Sequence, residues 1–340
     1  MSLTDFITQA PKAELHLHLE GSATGATLEK LAKKYGTQFK KLSAERIEEQ
    51  LLQFEEFTGF LKVFAAICAH LREPRDYCLL LDDVADYCKG QGIRYAEVIT
   101  SPAIPWKAGL NAEKILVALL DRSEKIRSKG GVEIRWILDC VRQWGDESAR
   151  KTAELGVKYR DSGVVALGLG GDENSLPLKE FESTFHWAKA HGLFIHVHAG
   201  EVGGADQVWD AVKLLGANRI GHGIQAARDP KLMEYLREHS ITLDVCLTSN
   251  LKTRAWAPIS SHPFLLLYKR GVPVTLNTDD PSVFRTTLTA EYEKAAKYFQ
   301  FKRDDLAKLI LQSVSSAFLP ARKKHSLMQE FQNSIHQLAG

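Results

Sequence analysis

A chain of 340 residues with 44 basic and 42 acidic side chains carries a formal net charge of +2, which gives no electrostatic reason to bind nucleic acid or an anionic membrane. Its 44% hydrophobic and 25% charged residues fit a soluble globular protein with a sizeable core, and no apolar stretch is long enough to span a bilayer. The five cysteines (Cys68, Cys78, Cys88, Cys140, Cys246) are odd in number and form no CxxC pair, so free thiols in a reducing cytoplasm fit better than a disulfide framework or a zinc knuckle. The start, Met1-Ser2-Leu3-Thr4-Asp5-Phe6, lacks the basic and apolar regions of a secretory leader, and a cytoplasmic protein is expected.

The first predicted strand covers residues 14–19 and contains His16-Leu17-His18. Side chains two apart on a strand share a face, so both imidazoles point the same way. Two neutral imidazoles on one wall make half of a tetrahedral zinc site. The span 28–72 that follows is long for a single crossover and holds Phe54, Phe57, Phe60 and Phe64 at roughly helical spacing. Such a stripe reads first as core packing; its place after the first strand makes it also a candidate apolar lid. Further strands are predicted at 95–100, 132–140, 164–169, 193–198, 219–221, 241–245 and 273–277, with amphipathic helical patterns between most of them, as at 112–128 and 178–191. Eight largely apolar strands alternating with helices predict an α/β fold, a (β/α)8 TIM barrel with parallel strands, in one domain over residues 1–340. A doubly wound open sheet would show a Gly-rich phosphate loop after an early strand. Here Gly168-Leu169-Gly170-Gly171 comes late and runs into Asp172-Glu173.

In a closed parallel barrel, chemistry collects at the C-terminal ends of the strands. His16 and His18 close the first predicted strand, His198 closes the fifth, His222 follows the sixth, and Asp279 and Asp280 follow the eighth. Three neutral nitrogens from His16, His18 and His198 and one hard oxygen from Asp279 make a site for one Zn2+ that leaves a position for water. Zinc lowers the pKa of such water from roughly 15.7 toward about 7. His222, between two glycines, is placed to orient that water and take its proton. Glu201, three residues past His198, is placed as a proton donor, which requires the raised pKa that burial provides. Asp280 is left to hydrogen-bond the substrate. His196 reads as a packed histidine, and Glu173 as a solvated or helix-start residue.

Taken together, residues 11–22 (Pro-Lys-Ala-Glu-Leu-His-Leu-His-Leu-Glu-Gly-Ser), Gly171-Asp172-Glu173, residues 198–203 (His-Ala-Gly-Glu-Val-Gly), Arg219-Ile220-Gly221-His222-Gly223 and Asn277-Thr278-Asp279-Asp280-Pro281 resemble the motifs of the adenosine deaminase family of amidohydrolases, in that family's order. The resemblance implies a (β/α)8 barrel with one zinc on His16, His18, His198 and Asp279. It implies that Glu201 protonates purine N1, that His222 acts on the attacking water, that Asp280 contacts N7 and that the backbone N–H of Gly171 contacts N3. Water attacks C6 and ammonia leaves. Members acting on free adenine usually carry Asp at the position of Gly221, so a nucleoside substrate is expected. Glu20 stands where adenosine-specific members usually have Asp reaching toward the ribose. Residues 136–143 (Trp-Ile-Leu-Asp-Cys-Val-Arg-Gln) and 168–173 are similar to bacterial members acting on 6-aminodeoxyfutalosine, a 5′-substituted adenosine analogue of menaquinone synthesis. On such a substrate Arg142 is expected to pair with a benzoate carboxylate.

Three alternatives are weighed. A two-metal amidohydrolase commonly needs a lysine on the fourth strand, and Val164-Val165-Ala166-Leu167-Gly168-Leu169 has none. A cytidine-type zinc deaminase needs HxE and PCxxC at set spacing, which are missing. A non-catalytic metal-binding barrel would show a broken ligand set or a missing acid. The expected partner is a small purine nucleoside, with free adenine the next choice; oligomeric state is not legible.

Overall fold

The computed structural model describes residues 1–51 and 53–338; Leu52, within the expected insertion at 28–72, and residues 339–340, at the end of the expected domain 1–340, lie outside the described residues. Eight strands form one sheet: β1 (Lys12–His18), β2 (Ile93–Thr100), β3 (Glu133–Val141), β4 (Val164–Gly170), β5 (Phe194–Ala199), β6 (Arg219–His222), β7 (Thr242–Val245) and β8 (Val274–Leu276). They pair in chain order and every ladder is parallel. Each lies within two residues of its predicted position. The sheet closes where Asp279, just beyond β8, meets β1: His18 N–H donates to Asp279 O (2.8 Å) and Asp279 N–H donates to His16 O (3.1 Å). The (β/α)8 barrel expected from the alternation is therefore present.

Strand alternation decides which side chains face the barrel axis. On β1, Ala13, Leu15 and Leu17 join the apolar core under the helices, whereas Glu14 and His16 are buried toward the interior. Glu14 accepts from the backbone N–H of Thr278 (2.9 Å), and Leu15 N–H donates to Asn277 Oδ1 (2.9 Å), so polar contacts reinforce the closing seam.

The barrel floor is ionic. Arg219, 1% exposed at the start of β6, donates to Asp244 on β7 (2.5 Å), to Glu97 on β2 (2.5 Å) and to the carbonyls of Leu15 and Ser316. Glu97 also accepts from the backbone N–H of Phe318 (2.5 Å), tying the segment before the last helix to the sheet. His196 faces Asp244 at 3.3 Å in the same layer.

Between β1 and the helix that leads into β2 (Pro74–Gln91) run helices Gly25–Tyr35, Ala44–Leu51 and Glu56–Cys68, which account for the long predicted span. The last lays Phe60 and Phe64 over the barrel mouth. Phe60 stacks on Phe284 (ring centroids 5.1 Å apart), and Phe64 meets the His18 ring edge-on at 6.2 Å. Among the described residues, no helix is long and apolar enough to cross a membrane, and the five cysteines are free thiols.

Removing Arg219 leaves two buried carboxylates without their cation, a change that costs about 3–5 kcal/mol. Arg219→Met is expected to lower urea-unfolding stability by that amount; a loss below about 1 kcal/mol would show that the floor is not held by this charge.

Candidate active site

The strand ends at the barrel mouth bring together the residues singled out by the sequence. His16 and His18 end β1, His198 lies on β5, and Asp279 follows β8; one ligand-type atom of each lies within 4.8 Å of the others. His16 Nε2 and His18 Nε2 stand 3.2 and 3.3 Å from Asp279 Oδ1, and His198 Nε2 stands 3.0 Å from His16 Nε2. The carbonyl of Leu169 faces His198 Nδ1 at 3.2 Å and can only accept, so the ring proton sits on Nδ1 and the Nε2 lone pair points at His16. Burial keeps both rings neutral: it pushes His16 down to about 4 and His198 well below its ordinary value. Three imidazole nitrogens and a carboxylate oxygen crowded this closely suit a shared cation. Burial also opposes charge on His18, yet the Asp280 and Asp279 carboxylates outweigh it and raise that ring to about 10. A positive charge is thus favoured at this point.

The neighbouring carboxyls are driven apart. Burial acts to raise Asp279, but the hydrogen bonds with His16 and His18 outweigh it and hold the group well below the usual range. Ser249 Oγ donates to its second oxygen (2.7 Å). Asp280 is raised well above the usual range, first by burial and then by the Asp279 charge, and neither of its oxygens has a partner in the protein. Burial raises Glu201 to about 7, where Thr253 Oγ1 donates to it at 3.1 Å. His222 Nε2 lies 3.6 Å from Glu201 Oε2 and 3.8 Å from Asp279 Oδ2. His222 and Asp279 both adopt left-handed backbone conformations (φ +60° and +67°), which Asp and His take up more readily than most non-glycine residues.

These groups open into a cavity of about 430 Å3. His18, His198, Glu201, His222, Asp279 and Asp280 line its polar end, with Gly171 beside them. At Gly171 (φ +96°) a Cβ would sit 2.4 Å from Gln143 Oε1, so only glycine brings the backbone this close to the cavity. Phe57, Phe60, Phe64, Ile104 and Trp144 form an apolar outer wall. The aromatic stripe is therefore core and cavity wall at once.

Other expected residues lie elsewhere. Arg142 is not part of the cavity wall: its guanidinium is buried and donates to Leu176 O (2.6 Å) and Gln207 Oε1 (2.9 Å), so the expected pairing with a substrate carboxylate is not what this side chain is placed for. Glu20 is also absent from the wall. It is buried in the turn after β1 and accepts from Thr100 Oγ1 (2.9 Å). Glu173 requires a correction, because it is neither solvated nor at a helix start. It is 2% exposed, and its carboxylate accepts the backbone N–H groups of Glu201 (3.1 Å), Val202 (3.1 Å) and Gly203 (2.6 Å). Three charge-assisted bonds thereby fix the loop that carries Glu201. Sequence reasoning also passed over Asp139. This carboxyl lines the cavity in the space that Gly168 and Gly170 leave open, and burial raises it to about 7. The available signal was a lone acid inside the apolar run 136–141.

The chain is similar to known proteins over nearly its whole length. The sequence profile of the family described as "Adenosine deaminase" matches residues 11–334. An aminodeoxyfutalosine deaminase of Streptomyces avermitilis is 37% identical over 96% of this chain and 92% of its own length. An adenine deaminase of Sinorhizobium fredii is 34% identical over 92% of this chain and 96% of its own. Among solved structures, an adenine deaminase from Arthrobacter aurescens superposes with a TM-score of 0.90 at 26% identity, covering 96% of this chain and 99% of that one.

Hydrogen bonds to a charged acceptor contribute about 1.5–3 kcal/mol each. Glu173→Gln is therefore expected to speed amide hydrogen exchange at residues 201–203 by roughly tenfold or more, with little change elsewhere in the barrel. Unchanged exchange in that loop would remove Glu173 as its anchor.

Proposed function

The chain belongs to the adenosine deaminase family, and from that premise we propose that it replaces the 6-amino group of a purine nucleoside with oxygen, consuming water and releasing ammonia. One observation carries this reading: three imidazoles, Asp279 and a proton-bearing Glu201 converge on a single cavity. His16, His18, His198 and Asp279 would hold one zinc, whose Lewis acidity lowers the pKa of the attacking water toward about 7.

The chain's own residues then divide the remaining work. Glu201, protonated up to a pH of about 7, gives its proton to purine N1 and makes the adjacent C6 electrophilic. His222 orients the water against C6. Asp280, which keeps its proton, donates to the acceptor N7, and the exposed backbone at Gly171 offers an N–H to N3. The amino group departs as ammonia with one of the water's two protons, and the other returns to Glu201 as the 6-oxo group forms.

A nucleoside suits the cavity better than a free base, because the apolar wall of Phe57, Phe64, Ile104 and Trp144 extends beyond the polar end that would hold the purine. Lys107 is the Lys or Arg side chain of that wall, with Nζ 4.3 Å from the Trp144 ring centroid. A 5′-substituent with an aromatic ring and a carboxylate, as in 6-aminodeoxyfutalosine, fits a stacking surface beside a cation. The kinship with an enzyme named for that substrate supports this choice. Free adenine is the second reading, favoured by relatives named adenine deaminase.

Ammonia release from adenine, adenosine and 6-aminodeoxyfutalosine is expected to be fastest with the last; faster turnover of adenine would establish the second reading. Lys107→Gln is expected to raise KM for the carboxylate-bearing substrate about two- to fivefold, the worth of an exposed ion pair, and to leave adenosine unaffected. Glu201→Gln is expected to lose roughly 10²–10⁴ in kcat while retaining its zinc. Undiminished turnover would remove Glu201 as the acid.

A further inference from the structure

Behind His222 runs a chain of hydrogen bonds whose direction can be read from its far end. The backbone N–H of Phe264 donates to His262 Nδ1 at 3.2 Å, and a backbone N–H cannot do otherwise. A neutral imidazole that accepts at Nδ1 carries its proton on Nε2. His262 is buried, and burial pushes it down to about 3, so this neutral form is the one present. His262 Nε2 then donates to Asn250 Oδ1 at 3.3 Å. With its oxygen taken, Asn250 turns its amide nitrogen to His222 Nδ1, 3.1 Å away, and donates there. Asn250 and His222 are 0% and 1% exposed, so protein groups set the polarity of the whole chain. His222 accepts at Nδ1, which leaves its proton on Nε2. That nitrogen is the one facing the cavity, near Glu201 and Asp279.

We propose that the Phe264 N–H, His262 and Asn250 form a relay of fixed polarity that keeps the His222 proton on Nε2, so that His222 holds the attacking water by donating a hydrogen bond to it and does not serve as its base. The inference rests on the water-orienting role given to His222 above, and it replaces the expectation that this ring takes the water's proton. His262 and Asn250 are positioning residues: they act on the reaction through His222. Neither belongs to any motif noted in the sequence, since 28 positions separate Asn250 from His222 and 12 separate it from His262.

Long-range ¹H–¹⁵N NMR of the zinc-loaded enzyme, with His222 assigned by loss of its signals in a His222→Ala variant, reads the tautomer directly. The expected spectrum shows an N–H-type Nε2 and a lone-pair-type Nδ1. Asn250→Asp places a carboxylate against Nδ1, which demands a donor there. It is expected to move the proton to Nδ1 and to lower kcat by about a hundredfold or more, with KM and zinc content held within twofold. A wild-type spectrum with the proton on Nδ1 overturns the relay, whatever the variant does. An Asn250→Asp enzyme that moves the proton yet keeps wild-type kcat overturns its importance for the reaction. Full activity in His222→Ala would sink the water-orienting role in both readings, whereas an Nδ1–H tautomer in a normally active deaminase would sink the relay alone.

Discussion

The seam between the first and last strands is the constraint on which the rest of this structure depends. The two backbone hydrogen bonds that close the barrel there are made by His16, His18 and Asp279, the residues whose side chains then turn inward beside one another. Closing the sheet and assembling the donor set are one event. The left-handed backbone at Asp279 belongs to the same geometry, because it lets the residue bond back to β1 and still present its carboxylate to both imidazoles. His198 is added from across the barrel by the register of β5 against β6, where the missing side chain of Gly221 leaves room: a Cβ there would meet His16 at 2.9 Å and His198 at 3.2 Å.

Above that donor set, burial acts on similar carboxyls with opposite results. Asp279 stays ionised because two imidazoles bond to it, whereas its sequence neighbour Asp280 and the nearby Glu201 have little to offset the loss of water and rise. Separating protonation states in this way gives one pocket both an anionic ligand and proton donors at neutral pH. The supports are equally specific. Glu173 pins the Glu201 loop, Ser249 bonds Asp279, and Asn250 with His262 sets the donor face of His222.

Much of this was legible in the sequence, for identifiable reasons. An HxH pair on a strand has a fixed side-chain period, and strand ends at a barrel mouth have a fixed place in space. The residues brought together by the structure were therefore the ones that sequence position alone could put at a rim. What stayed hidden depends on contacts between distant segments. The expected pairing of Arg142 with a substrate carboxylate fails because Leu176 and Gln207 take up its guanidinium, which no local pattern shows. Glu173 follows a glycine run and precedes a turn, which resembles a solvated loop until the backbone of residues 201–203 is seen folded over it. Asp139 is a lone acid in an apolar run, and Asn250 and His262 follow other polar residues (Thr248-Ser249 and Ser260-Ser261), so no local pattern marks them. Strand limits moved by one or two residues, since hydrogen-bonding partners and not propensity decide where a ladder ends.

The central claim is that three imidazoles and one aspartate oxygen hold a single zinc at the closing seam. X-ray absorption at the zinc edge of the zinc-loaded protein tests this most directly. The account predicts nitrogen and oxygen scatterers at about 2.0–2.2 Å, with the outer-shell signature of three imidazoles. A sulfur shell near about 2.3 Å, or a spectrum without imidazole scattering, would contradict it.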